Sequence, residues 1–259
     1  MASFTLITGA SEGLGVEFAR IAAREGRNLI LTARSVEKLE RLAEDLQAEA
    51  PEILVLPADL SKLEDAKSLW ARATENGWRI DVLVNNAGLG YNGPFQNGQA
   101  WDRELASMQV NITAYTFLMK QAVTHMSKHG RGRILNVAST AAFIPGPNMA
   151  VYHATKAYAL FLSEAVSEEL RGTDVSLTAL CPGATKTNFF NEAEMNDVRL
   201  LKMGLTMEAD AVAQQGWNAM LKGKRLIVPG LMNKVFAFAP RITPRKVLSR
   251  VASVIMGRG

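Results

Sequence analysis

Seven short apolar runs, each set apart from the next by a stretch of helical period, leave this chain few architectures to fold into. The runs are Phe4–Thr8, Asn28–Ala33, Ile53–Ala58, Asp81–Asn86, Arg133–Ala138, Val175–Cys181 and Arg225–Pro229. They are nearly continuous in aliphatic and β-branched residues, as strands are when both faces of a sheet are covered. Between them, Val36–Ala50, Leu63–Asn76, Trp101–Lys128, Met149–Arg171 and Met207–Leu221 repeat apolar residues at helical spacing. The alternation predicts a single doubly wound α/β domain, with a seven-stranded parallel sheet and helices on both faces. There is no internal repeat and no Pro/Gly/Ser linker, so residues 1–230 are expected to form one domain. Thr187–Thr206 is the least regular stretch, and its length predicts a lid or a short helical insertion.

Composition narrows the class. Hydrophobic residues at 48% and charged residues at 21% exclude a disordered or collagen-like chain. Cys181 is the one cysteine, so no intramolecular disulfide forms, which fits a reducing, cytoplasmic setting. No apolar run reaches the roughly 20 residues of a membrane span, and the opening MASFTLITGAS lacks the features of a secretory signal. The net charge of +4 is unevenly placed: Ala211–Gly259 holds nine Lys or Arg and no acid, leaving the rest at −5.

Directly after the first strand comes Thr8-Gly9-Ala10-Ser11-Glu12-Gly13-Leu14-Gly15, and a helix opens behind it. Glycines at a strand-to-helix turn let the backbone approach a pyrophosphate, and the helix amino terminus offers free N–H groups and a favourable dipole. Gly9, Ser11, Glu12, Gly13, Leu14 and Gly15 are therefore the candidate phosphate cradle. A carboxylate at the end of strand two would bind the ribose hydroxyls of NAD. Here the strand ends on Arg34, whose cation suits the 2′-phosphate of NADP(H) in preference to NAD(H).

Strand five ends at Ser139, and Tyr152 and Lys156 follow near the start of a long helix. Residues four apart share a helix face, so phenol and ammonium point into one cleft at the carboxyl ends of the strands. Reducing a ketone requires a hydride to carbon and a proton to oxygen. A phenol with a pKa of about 10 makes a poor acid/base near neutrality, and a neighbouring ammonium would lower that value. Ser139 would hold the carbonyl.

This constellation resembles the short-chain dehydrogenase/reductase family over about Phe4–Pro229. The residues that carry the resemblance are Thr-Gly-x-x-x-Gly-x-Gly, Asn85-Asn86-Ala87-Gly88, Asn111, Ser139, Tyr152, Lys156 and Pro182-Gly183. It implies a Rossmann fold, a nicotinamide coenzyme and alcohol/ketone oxidoreduction. It implies that Tyr152 is the acid/base, that Lys156 lowers its pKa and holds the nicotinamide ribose, and that Asn111 bends its helix and holds a water relaying protons from Lys156. Asp59 and Leu60 match the adenine contact. Asn86, Ala87 and Gly88 match the adenosine side, and Pro182, Gly183, Thr185 and Thr187 match the stretch that meets the carboxamide. The Leu-Thr-Ala-Arg-Ser-x-x-Lys-Leu run resembles an NADP-preferring subgroup that includes ketoacyl and hydroxysteroid reductases. A homodimer or homotetramer, built on Trp101–Lys128 and Met149–Arg171, is implied as well.

The expected substrate wall comprises Leu89, Tyr91, Phe95, Ala141, Ala142, Phe143, Ile144, Met149, Phe189 and Phe190, with no cluster of cations. Such a wall suits an apolar ketone or aldehyde, a ketoacyl or steroid-like compound. The alternatives are oxidation of a secondary alcohol and a non-catalytic NADP(H)-binding sensor or scaffold; the intact Ser139, Tyr152 and Lys156 argue against the sensor. Cys181 reads as a small buried residue. His125, His129 and His153 have no metal-ligand spacing, so no metal is expected, and His153 points to a different helical face from Tyr152.

Residues 231–259 read as a basic amphipathic extension in which Val247, Leu248, Val251, Val254 and Ile255 form one apolar stripe. A helix packed on the body or a neighbouring subunit is the plain reading. A weak membrane-surface contact is the sharper one, and nucleic acid is not expected.

Overall fold

The computed structural model describes residues 2–195 and 205–256. Seven strands form one parallel sheet: β1 (Ser3–Thr8), β2 (Asn28–Thr32), β3 (Ile53–Val55), β4 (Arg79–Asn85), β5 (Gly132–Val137), β6 (Val175–Leu180) and β7 (Leu226–Ile227). Their order is β3-β2-β1-β4-β5-β6-β7, the doubly wound order expected from the alternation. All seven sequence runs contain a strand. The third and seventh are the most shortened, although backbone bonds from Leu56 to Leu31 (3.0 Å) and from Ala58 to Ala33 (3.2 Å) carry the chain on beside β2.

Burial on both faces explains the apolar runs. Leu6, Ile30 and Leu83 project into one core, while Ile7, Leu29, Leu31, Val82 and Val84 project into the other. The first core is closed by α3 (Leu63–Thr74), α5 (Tyr115–Lys128) and α6 (Ala150–Glu169). The second is closed by α1 (Leu14–Arg24), α2 (Val36–Leu46) and α8 (Ala209–Leu221). The helix expected over Trp101–Lys128 is interrupted: α4 (Trp101–Met108) passes through a π-helical turn at Gln109–Ala114 before α5 begins. A π turn at such a place re-aims side chains, and Asn111 lies inside it.

The Thr187–Thr206 stretch opens with a short helix, α7 (Phe189–Glu192); residues 196–204 of it lie outside the described residues. After β7 come α9 (Leu231–Phe238) and α10 (Arg245–Met256). The apolar stripe expected in the last of these is divided. Ala252 is buried and Leu248 and Ile255 are half-buried, but Val247, Val251 and Val254 face solvent. Among the described residues, no helix is long and apolar enough to cross a membrane.

Trp217 on α8 is among the largest fully buried side chains. Its indole Nε1 donates to the Glu25 carboxylate at 2.8 Å, and the Arg27 guanidinium lies over the ring. Trp217→Ala leaves a cavity and removes one of the two partners of the Glu25 carboxylate, the other being Arg27 at 3.0 Å, so it is expected to cost about 3–5 kcal/mol, with Trp217→Phe costing less. Urea denaturation of the two variants against the parent measures both.

Candidate active site

A cleft of about 740 Å³ follows the carboxyl ends of the strands. After β1 it is lined by Gly9, Ser11, Glu12, Gly13 and Leu14, after β2 by Arg34, and after β3 by Asp59 and Leu60. Asn86, Ala87 and Gly88 follow β4, Ser139 follows β5, and Pro182, Gly183, Thr185 and Thr187 follow β6. Tyr152 and Lys156 enter from α6. Two sequence candidates do not line it: Gly15 is packed beneath the turn, and Asn111 is buried behind Leu89.

The turn is built for close approach. Gly13 has φ +57°, which disfavours any side chain, and a Cβ on Gly15 would lie 2.0 Å from the Gly9 carbonyl oxygen. The first turn of α1 has no side-chain cap, so its N–H groups remain free to meet an anion. The Thr8 hydroxyl accepts from the Asn86 and Ala87 amides, both at 2.9 Å, and fixes the ends of β1 and β4 at the point where strand order reverses. This cradle fits the pyrophosphate of a nicotinamide dinucleotide.

At the adenosine end, burial raises the Asp59 pKa, but the Ser61 hydroxyl (2.7 Å) and amide, together with Arg34 and Lys62, outweigh it and hold the carboxyl below its usual value. Lys38, one turn into α2, also lines the cleft, and its ammonium pairs with Glu12 at 3.3 Å. Asn188 donates to the same carboxylate at 3.2 Å, so Glu12 links α2 to the β6–α7 loop across the cleft. Lys38 is an addition to the residues expected from the sequence. Its signal there is a second cation four residues after Arg34, on the same side of a helix start.

At the other end, the Lys156 ammonium donates to the Val137 carbonyl at 3.0 Å and lies 5.8 Å from the Tyr152 ring centroid. The expected lowering of the Tyr152 pKa by this cation is not seen in this structure. Burial pushes the phenol up to about 12, opposed by hydrogen bonding with Ser139, and pushes Lys156 down to about 8. Burial dominates both shifts, with the ammonium bonded to the Val137 carbonyl. The Asn111 side chain is fully engaged. It accepts from the Leu89 amide (2.9 Å) and donates to the Leu89 carbonyl (2.8 Å) and the Thr155 hydroxyl (2.9 Å). It therefore clamps the β4 loop to α6. Thr155 and Ser107, which complete this clamp, were not singled out in the sequence; short polar residues on apolar helix faces are their only mark there.

His153 is buried, lines the cleft, and its Nδ1 meets the Ile144 carbonyl at 2.8 Å, bracing the loop that follows Ser139. Of the expected substrate wall, Leu89, Ala141, Met149, Phe189 and Phe190 line the cleft. Tyr91, Phe95, Ala142, Phe143 and Ile144 do not; Phe95 points outward, 73% exposed. In their place the cleft takes Ala106 and Val110 from the α4 side and Met195 from beyond α7. Arg103 also reaches the cleft, but its guanidinium pairs with Glu194, donates to the Glu192 carbonyl (2.8 Å) and covers the Tyr91 ring.

Comparison with known proteins agrees with this geometry. A family model described as short chain dehydrogenase matches residues 3–197. Nodulation protein G of Rhizobium sp. (strain N33) is 32% identical over 237 residues, covering 87% of this chain and 94% of the relative. The short-chain dehydrogenase from Sphingobium yanoikuyae in complex with NADPH gives a TM-score of 0.81 at 31% identity, covering 89% of each chain. The 3-ketoacyl-(acyl-carrier-protein) reductase from Brucella melitensis complexed with NADH gives 0.74 at 26% identity, covering 88% of this chain and 96% of that one. Similar chains have thus been solved with either coenzyme. The match in sequence and fold extends over most of the molecule, and the chain belongs to the short-chain dehydrogenase/reductase family of oxidoreductases acting on CH–OH groups.

Proposed function

We propose that the protein is an NADP(H)-dependent reductase of an apolar ketone or aldehyde, of the size of a ketoacyl chain or a steroid-like ring. The observation that carries this reading is the meeting of Tyr152, Ser139 and Lys156 at one end of a cleft whose other end is the glycine turn. The coenzyme supplies the hydride when bound. Tyr152 gives its phenolic proton to the carbonyl oxygen as the carbon is reduced, and Ser139 donates a hydrogen bond that holds that oxygen. Lys156 holds the ribose and offsets the charge left on the phenolate. Asn111 acts as a positioning residue that fixes Gly88 and Leu89 against α6. Leu89, Ala141, Met149, Phe189 and Phe190 supply an apolar wall, and the Arg103 guanidinium that reaches the cleft beside them is paired with Glu194.

Arg34 and Lys38 support a 2′-phosphate at the adenosine end, with Arg34 exposed and free of any described ion pair. The outer faces of α5 and α6, where Tyr158 and Phe161 are exposed beside Thr116, suit a homodimer or homotetramer.

Tyr152→Phe removes the proton donor and little else. Its NADPH affinity should stay near the parent value while kcat falls by about 10²- to 10⁴-fold on a ketone panel. Undiminished turnover would remove Tyr152 from the mechanism. Arg34→Ala deletes charge-assisted bonds worth about 1.5–3 kcal/mol, so NADPH affinity should drop roughly tenfold or more and NADH affinity should barely move. Equal losses for the two coenzymes, measured by fluorescence titration, would refute the 2′-phosphate assignment. Lys156 is cationic below about pH 8 and loses its proton as pH rises through that value. NADPH affinity should therefore weaken above pH 8, by up to about tenfold per pH unit, whereas Lys156→Met should be weaker at pH 7 and flat with pH.

A further inference from the structure

We infer that α9 and α10 form a docking surface for an anionic lipid bilayer, lying in the plane of its headgroups. Exposed apolar surface is concentrated there. Of the fourteen exposed large hydrophobic side chains among the described residues, nine lie between Leu231 and Val254. Leu231 is 77% exposed and Ile242 75%, levels at which aliphatic side chains gain nothing from the fold that carries them.

The helices are held on the body by one side only. Asn233 is buried, donates to the Pro229 carbonyl at 2.8 Å and packs against Gly183, while Ala237 joins the cluster around Ala142. On α10, Ala252 is buried and Leu248 and Ile255 are half-buried. Counting about 100° per residue, Val247, Val251 and Val254 form a strip beside that covered line, and Lys246 and Arg250 fall along the strip's other edge. Cations bordering an exposed aliphatic strip are the arrangement of a helix whose apolar side enters the acyl boundary while its basic edge stays among headgroups. At 12 residues, α10 is too short to span a bilayer and long enough to lie on one.

Charge selects the occupant. Asp210 is the last acid in the chain, and Lys234, Arg241, Arg245, Lys246 and Arg250 pair with no described carboxylate. A twofold contact with a second copy would set this cationic patch against itself. A negatively charged lipid surface complements the cations and accepts the aliphatic and phenylalanine side chains together. Because α9 packs against the Thr140–Phe143 turn, and Thr140 and Ala141 line the cleft, the docked surface lies beside the substrate end.

The test is co-sedimentation of the full chain with phosphatidylcholine vesicles, and with vesicles carrying about one-third phosphatidylglycerol. The protein should pellet with the anionic vesicles only, and release as salt is raised. Lys246→Gln and Arg250→Gln should each weaken partitioning by about fivefold. The triple variant Val247→Ser, Val251→Ser, Val254→Ser should lose binding while keeping the parent melting temperature and NADPH affinity. Absence of pelleting with either vesicle overturns the inference. So does pelleting that neither set of substitutions changes, or a triple variant that dissociates a dimer in a protein that binds no vesicle.

Discussion

The site depends on one buried hydrogen bond, from the Lys156 ammonium to the Val137 carbonyl at the carboxyl end of β5. Burying an ammonium is costly unless it is bonded, and a helix that carries one must place it where an acceptor waits. The last residue of β5 provides that acceptor. Once Lys156 is fixed there, Tyr152 is fixed one turn earlier, facing Ser139, which lies two residues past Val137. The catalytic geometry thus follows from how α6 is pinned to the sheet.

Further polar contacts hold α6 along its length. Thr155 bonds to Asn111 in the π turn, and Ser163, two turns on, meets Tyr115 (3.2 Å) and Asn136 (2.9 Å). These contacts join α6 to α5 and β5 through side chains that are almost fully buried, where each unmade bond costs more than on the surface. Apolar packing alone would let the helix slide by a fraction of a turn. The polar ties specify a single register, and the register sets the distance from Tyr152 to the glycine turn.

The sheet and its two coverings were legible because strands buried on both faces leave runs that no surface helix needs. The glycine turn, Arg34, Ser139, Tyr152 and Lys156 were legible because each sits at a strand end or at helical spacing from another. The π turn was not legible in the periodicity, since a one-residue expansion barely disturbs a three-and-four apolar period, and only the family resemblance placed a bend at Asn111. Half of the substrate wall was misplaced for a related reason: nothing in Leu89–Phe95 or Thr140–Met149 signals which way an irregular segment turns its side chains. Phe95 faces solvent, while Met195, outside any recognisable pattern, reaches the cleft. The five apolar residues of α10 do lie side by side, but the body covers only the edge carrying Leu248 and Ile255, because periodicity reports a helix's own pattern and not how much of it the body covers.

The phenol's high pKa bears on the direction of the proposed reaction. Burial that pushes Tyr152 up to about 12 keeps it protonated across the neutral range, and reduction consumes that proton. The incipient alkoxide is a far stronger base than a phenolate, so transfer remains downhill even from a raised pKa. Oxidation of an alcohol asks the opposite: the phenol must already have lost its proton, against the same desolvation. Hydrogen bonding with Ser139 lowers that cost, and so does an added positive charge beside the ring, of which the Lys156 ammonium, with its own pKa near 8, is a partial source. On the proposed reading, burial keeps Tyr152 protonated and ready to donate, which is the state that carbonyl reduction uses.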